Sequence, residues 1–172
     1  MWLWPELQRL LRPVILARAR PGTRVVTNLW DLGSWLPDEE DLEPQRVAMW
    51  IVPARVAGNW SWELTLAGQR VPYAAVMEQR FQAVEGVVRA GNRRELLHDM
   101  KLRGEDFSFS LMMTVEKIGF VRHQFRGKVR DGAIEGTATL SLPPHEQTIE
   151  VAWRATLSAT SAYFEPTGTD VR

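Results

Sequence analysis

The chain has 172 residues, 45% of them hydrophobic and 24% charged, which suits one domain with a sizeable core and excludes wholesale disorder. Its 21 Lys and Arg balance 21 Asp and Glu, and a zero formal net charge argues against a dedicated nucleic-acid binder. With no cysteine there is no disulfide, no thiol nucleophile and no thiolate metal site, in keeping with a reducing compartment.

Residues from Glu6 to Leu16 read as a helix that runs through Pro13, Arg20-Pro21-Gly22 as a tight turn, and Thr23 to Thr27 as a buried strand. Such an αβ unit belongs to a parallel sheet and needs neighbours on both faces, so Trp2, Trp4, Leu7, Leu10, Leu11 and Ile15 call for cover. Glu6, Arg9 and Arg12 interrupt any secretory core, and no run approaches the ~18 apolar residues of a membrane span. A cytoplasmic location is expected. From Asp38 to Glu43 the chain places five acids in six residues between Pro37 and Pro44, the composition of a solvated linker.

From Val47 onward the apolar period becomes two. Val47 to Ala54 is predicted as the first strand, and Trp60, Trp62, Leu64 and Leu66 alternate on one face of the second. Tyr73 to Arg89 reads as one long strand, followed by a turn at Ala90-Gly91-Asn92 and a return from Glu95 to Arg103. Phe107, Phe109, Leu111 and Met113 alternate next, and Phe120 to Arg130 meets Ala133 to Leu142 across Asp131-Gly132, a strong hairpin signal. A last strand runs from Thr148 to Leu157 after Pro143-Pro144, and the tail lacks periodicity. The expected fold is mainly β (α+β): an antiparallel up-and-down meander or barrel of about eight strands with an N-terminal helix–strand remnant of an α/β sheet. The expected organisation is a remnant over 1–36, an acidic linker over 37–46, a barrel over 47–158 and a flexible tail over 159–172.

Motifs of nucleotide chemistry are missing. Gly127, Gly132 and Gly136 sit in and beside a β-hairpin, not in a Gly-x-Gly-x-x-Gly turn, and no Walker motif is present. His98, His123 and His145 lack metal-ligand spacing, and no Gly-x-Ser-x-Gly elbow marks a nucleophile, so neither catalytic nor metal-binding residues are assigned. What remains is aromatic. Trp50, Trp60, Trp62, Phe81, Phe107, Phe109 and Phe125 either fill the barrel or line a ligand cavity, with Gln79 among several polar residues on otherwise apolar strands.

Several segments carry a resemblance. Leu3-Trp4-Pro5-Glu6-Leu7, Leu11-Arg12-Pro13 and Arg20-Pro21-Gly22-Thr23-Arg24-Val25-Val26 resemble one group of bacterial class I S-adenosylmethionine-dependent methyltransferases, between the fourth and fifth strands of the catalytic sheet. Trp50 to Trp60 looks like the junction that follows, and Glu78-Gln79-Arg80-Phe81-Gln82, Leu102-Arg103-Gly104 and Phe125-Arg126-Gly127 look like markers of a β-rich C-terminal extension. The resemblance places Trp4 at the carboxyl end of the fourth strand and Asp31 after the fifth, both as candidate substrate-lining residues. It also implies that the donor-binding residues lie upstream of Met1, so that no cofactor is bound by this chain alone. Two readings follow. In the first, the chain is a catalytically incomplete C-terminal portion of a methyltransferase-like protein, a substrate-binding or assembly module that forms a homodimer or a complex with a chain carrying the rest of the fold. In the second, it is a lipocalin-like barrel for a small apolar ligand, without catalytic activity. No nucleic-acid or membrane partner is expected.

Overall fold

The computed structural model describes residues 4–142 and 147–160. Trp2, the Pro143-Pro144 turn and the tail after Thr160 lie outside the described residues.

Helix α1 (Pro5–Arg18) begins on a proline, whose missing N–H costs nothing at a helix start, and continues through Pro13 as its apolar spacing predicts. It lays Arg12 and Leu16, one turn apart, on a sheet of three strands: β1 (Arg24–Asn28), β2 (Glu39–Asp41) and β3 (Val47–Ile51), in the order β1-β3-β2. Both pairings are antiparallel, so the described partner of β1 is not the parallel neighbour expected. Two further corrections follow. The acidic run contains β2, and Val47 to Ile51 belongs to this sheet, not to the barrel. The acids can form a strand because cations and donors meet them: Glu39 pairs with Arg103, Glu40 with Arg46, and an Asp38 carboxylate oxygen accepts the Ile51 N–H at 2.7 Å.

The remaining strands are β4 (Gly58–Leu66), β5 (Gln69–Arg80), β6 (Ala83–Ala90), β7 (Arg93–Leu96), β8 (His98–Arg103), β9 (Asp106–Val115), β10 (Gly119–Arg130), β11 (Ala133–Leu142) and β12 (Gln147–Thr160). They form one antiparallel sheet in the order β7-β6-β5-β4-β12-β11-β10-β9-β8. Its two ends, β7 and β8, are joined by Leu97 alone, so together they act as one bent strand and the sheet is a nearly closed barrel. The register slips between His98 and Lys101, and Asp99 takes a left-handed φ of 52° at this corner. Tyr73 to Arg89 is not one strand, because the chain turns back at Phe81-Gln82. The expected number of strands survives because this extra hairpin offsets the loss of Val47–Ile51 from the barrel.

Alternation along the strands is as predicted. Trp60, Trp62, Leu64 and Leu66 on β4 and Phe107, Phe109, Leu111 and Met113 on β9 are all buried. Gly127 and Gly136 lie opposite each other on β10 and β11, at positions that alternation points inward. A Cβ on Gly136 would sit 2.0 Å from the Arg126 carbonyl oxygen and 2.5 Å from Gly127 Cα. No side chain fits there, and the absence of one lets the two strands bend tightly around the core. Outside the barrel, one row of charges alternates in sign across five strands. Arg103, Asp106, Lys128, Glu135 and Arg154 are register neighbours, and Glu39 of β2 joins the row through Arg103.

Gly136→Ala sets a Cβ against backbone atoms that cannot swing aside. The expected loss is about 3 kcal/mol of stability in urea unfolding, the upper end for overpacking, or failure to fold.

Candidate functional site

Two apolar clusters are packed inside this chain, and Gln79 and Phe81 join them. Gln79 lies on the inward-alternating positions of β5 and is buried. Its Oε1 accepts the N–H groups of Val56 (2.7 Å) and Ala57 (3.3 Å), while its Nε2 donates to the carbonyls of Ala54 (2.8 Å) and Phe81 (2.7 Å). The carboxamide thereby satisfies the backbone of the buried segment that leads from β3 into the barrel. Phe81 follows in the turn with φ 57°, a strained value for a bulky residue, and leaves the barrel to stack on Trp35 at 5.8 Å. Arg12, fully buried, lies over the Phe81 ring, 5.4 Å from its centre, and donates to the Leu32 carbonyl at 2.6 Å. Trp50 completes this cluster, its indole N–H donating to the Trp35 carbonyl.

The barrel interior is a second aromatic assembly. Trp62 stacks on Tyr73 at 5.4 Å and meets Phe109, Phe125 and Trp153 edge-on. Phe109 stacks on Phe125 at 4.6 Å, and Phe125 lies 4.9 Å from Trp153. These are contact separations, so the rings fill the middle of the lumen themselves. Trp60 anchors one end by donating to the Val56 carbonyl. One polar pair sits among the rings: the Tyr73 hydroxyl lies 2.8 Å from Nε2 of buried His123, whose Nδ1 lies 3.3 Å from the Leu111 carbonyl. A carbonyl can only accept, so the imidazole carries its proton on Nδ1 and Nε2 accepts from Tyr73. Burial drives the His123 pKa down to about 4, against the raising effect of the backbone carbonyls, and pushes the Tyr73 hydroxyl upward.

The residues singled out from sequence therefore separate into three places. Trp60, Trp62, Phe107, Phe109 and Phe125 share the barrel core. Trp50 and Phe81 belong to the other cluster, with Gln79 at the junction. Trp4 is exposed at the start of α1, and Asp31 accepts the Gly33 N–H in a local turn, so neither joins a common site. Sequence reasoning passed over the Tyr73–His123 pair and Trp35. The inward parity of Tyr73 and His123 was the available signal, whereas nothing local marks Trp35.

No protein-family model and no curated protein matches the chain. A solved structure does: a crystal structure of an RNA methyltransferase from Salinibacter ruber in complex with S-adenosyl-L-homocysteine. The identity is 38%, over 32% of this chain and 37% of that one, with a TM-score of 0.30. The chain thus spans little more than a third of that protein.

His123 predicts a pH dependence of stability. Its pKa is lowered on folding, so below the ordinary value of 6.5 the unfolded chain takes up a proton that the folded chain refuses. Stability falls as pH drops from 6.5 toward about 4, by roughly 3 kcal/mol in total, and levels off below. In urea unfolding across this range, His123→Gln should flatten that part of the curve.

Proposed function

We propose that this chain is a substrate-binding or assembly module of a class I methyltransferase-like protein, catalytically incomplete alone, and that α1 and β1 dock against a polypeptide carrying the donor-binding part of the fold. The observation that carries this reading is the outward side of α1. Trp4, Leu7, Leu10 and Val14 follow helical spacing on one stripe and are 74%, 47%, 68% and 46% exposed, while Arg12 and Leu16 are buried on the other side. A surface helix with apolar side chains both inward and outward has two surfaces to cover, and this one covers one of them. Strand β1 next to it pairs with β3 alone among the described strands, which makes it a sheet edge where a further strand can add. Three of the methyltransferase-like segments quoted above, Leu3 to Leu7, Leu11 to Pro13 and Arg20 to Val26, run along this helix, this strand and the turn between them.

The residues present do not fit the methyl donor. Donor recognition of the Rossmann type needs a glycine-rich turn from strand to helix. Among the described residues the one helix is α1, and Gly127, Gly132 and Gly136 belong to the β10–β11 hairpin. Titration of the purified chain with S-adenosylmethionine should therefore give no heat, and saturable micromolar binding would overturn the reading. Aspartate at Leu10 and Val14 should change the stability of the chain by less than about 0.5 kcal/mol, because neither residue belongs to a buried cluster. A large loss in thermal or urea unfolding would mean that this stripe is already covered.

A second reading, the small apolar ligand in the barrel, is favoured by one feature. The indole N–H groups of Trp62 and Trp153 are buried with no acceptor among the described residues, an expensive arrangement that an acceptor-bearing guest would relieve. The contacting rings oppose it. If a panel of apolar probes leaves the tryptophan emission unshifted, this reading is excluded.

A further inference from the structure

The outer face of β5, β6 and β7 carries a pattern that the barrel itself does not need. In register, Glu78 lies opposite Glu85, Val76 lies opposite Val87 and Val87 opposite Leu96, and Arg89 lies opposite Arg94. Successive rows on one face are about 6.8 Å apart along the strands, so the face reads acid row, apolar row, basic row. All seven side chains are exposed, with Val76 at 52%, Val87 at 43% and Leu96 at 60%.

Like charges directly opposite each other destabilise a strand pair, and here it happens twice within two rows. None of the four charged residues has an ion-pair partner among the described residues. On the other side of the same barrel, from Arg103 to Arg154, the register neighbours alternate in sign. The like-charge rows are therefore a local departure with a local cost, which a partner surface of opposite charge would offset.

The pattern is complementary to itself. We propose that this face is a two-fold interface between two copies of the chain, with the symmetry axis lying along the Val76–Val87–Leu96 row. Rotation about that axis lays the two faces together, keeps the apolar row on the apolar row, and exchanges the acid row with the basic row. Glu85 and Arg89 flank Val87 on the same strand, so each Glu85 meets the Arg89 of the other copy, and the contact occurs twice. Glu78 and Arg94 stand on the diagonals of these pairs. A recess of about 470 Å³ lined by Val76, Val87, Arg89 and Arg94, among others, gives the face room to receive the partner's side chains. The contact is isologous and closes at two copies, and its apolar centre with a charged flank is the anatomy of a specific interface. It uses a surface distinct from α1 and β1, so it stands or falls independently of the docking proposed above.

Sedimentation equilibrium of the full chain at several protein and salt concentrations tests the interface. A dimer with a micromolar dissociation constant is expected, weakening as salt screens the paired rows. Glu85→Arg and Arg89→Glu should each weaken it at least about tenfold, since each sets like charges in contact twice. The double variant Glu85→Arg/Arg89→Glu restores opposite charges across the axis and should recover most of the affinity, which a folding defect would not do. A monomeric wild type, a dimer indifferent to either single change, or single losses that the double variant does not rescue would each overturn the proposal.

Discussion

The Gln79 carboxamide is the contact on which the rest of the molecule depends. The segment from Val52 to Ala57 carries the chain from the three-stranded sheet into the barrel, and apart from Arg55 it is buried. Backbone bonds tie Val52 to Gly22 and Thr23 and the Ala54 N–H to the Gly104 carbonyl, while the Ala54 carbonyl and the N–H groups of Val56 and Ala57 turn to a side chain. A buried amide or carbonyl left alone costs about 1–3 kcal/mol, so these three groups and the Phe81 carbonyl, left unpaired together, would unbalance a domain of ordinary stability. Gln79 meets all four, donating twice and accepting twice, which is the full capacity of a carboxamide. A hydrophobic residue at this position would leave the passage unsatisfied, and a carboxylate could not donate. The polar residue on an apolar strand is thus the one that makes the junction soluble in its own core.

The same turn carries the mechanical link. Phe81 holds a left-handed backbone conformation that costs on the order of 1–3 kcal/mol, and in return its ring leaves the barrel and becomes part of the other cluster, in contact with Trp35 and Arg12. Gln79 then accepts its neighbour's strain by binding the Phe81 carbonyl. The Glu39–Arg103 pair makes a second, exposed connection between the two sheets, and exposed pairs of this kind contribute little. Cohesion of the N-terminal unit with the barrel rests on buried contacts at the Gln79–Phe81 turn.

The interior of the chain is largely satisfied by its own side chains, whereas its surface carries ordered apolar rows. The barrel is filled by its own rings, with one histidine made neutral by burial and satisfied at both nitrogens. On the surface, by contrast, α1 presents an apolar stripe and β5–β7 present an apolar row between uncompensated charges. Isolated exposed hydrophobic residues need no explanation, but ordered rows of them do. These two surfaces are the ones to which the proposed docking and the proposed two-fold contact assign partners.

Local periodicity was enough to read much of this fold from the residues. Alternation on β4 and β9, the helix through Pro13 and the Asp131-Gly132 hairpin all follow from side-chain spacing and turn chemistry, which act between near neighbours. The hairpin at Phe81-Gln82 was hidden because no Gly, Asn or Asp marks it; a stacking partner in another element holds Phe81 in a conformation its own chemistry disfavours. Likewise, nothing in Val47 to Ile51 says which sheet it will join, since an apolar strand is the same in either, and acids that would repel each other in a free linker become a strand once Arg46 and Arg103 are near. Trp50 and Phe81 could not be separated from Trp62, Phe109 and Phe125 by sequence, because aromatic character records burial but not the cluster in which it occurs. Spacing and turn chemistry along the chain suffice for the antiparallel barrel and its apolar faces. The junction at Gln79, the two clusters and the charged rows arise on folding, because each depends on which distant strands become neighbours.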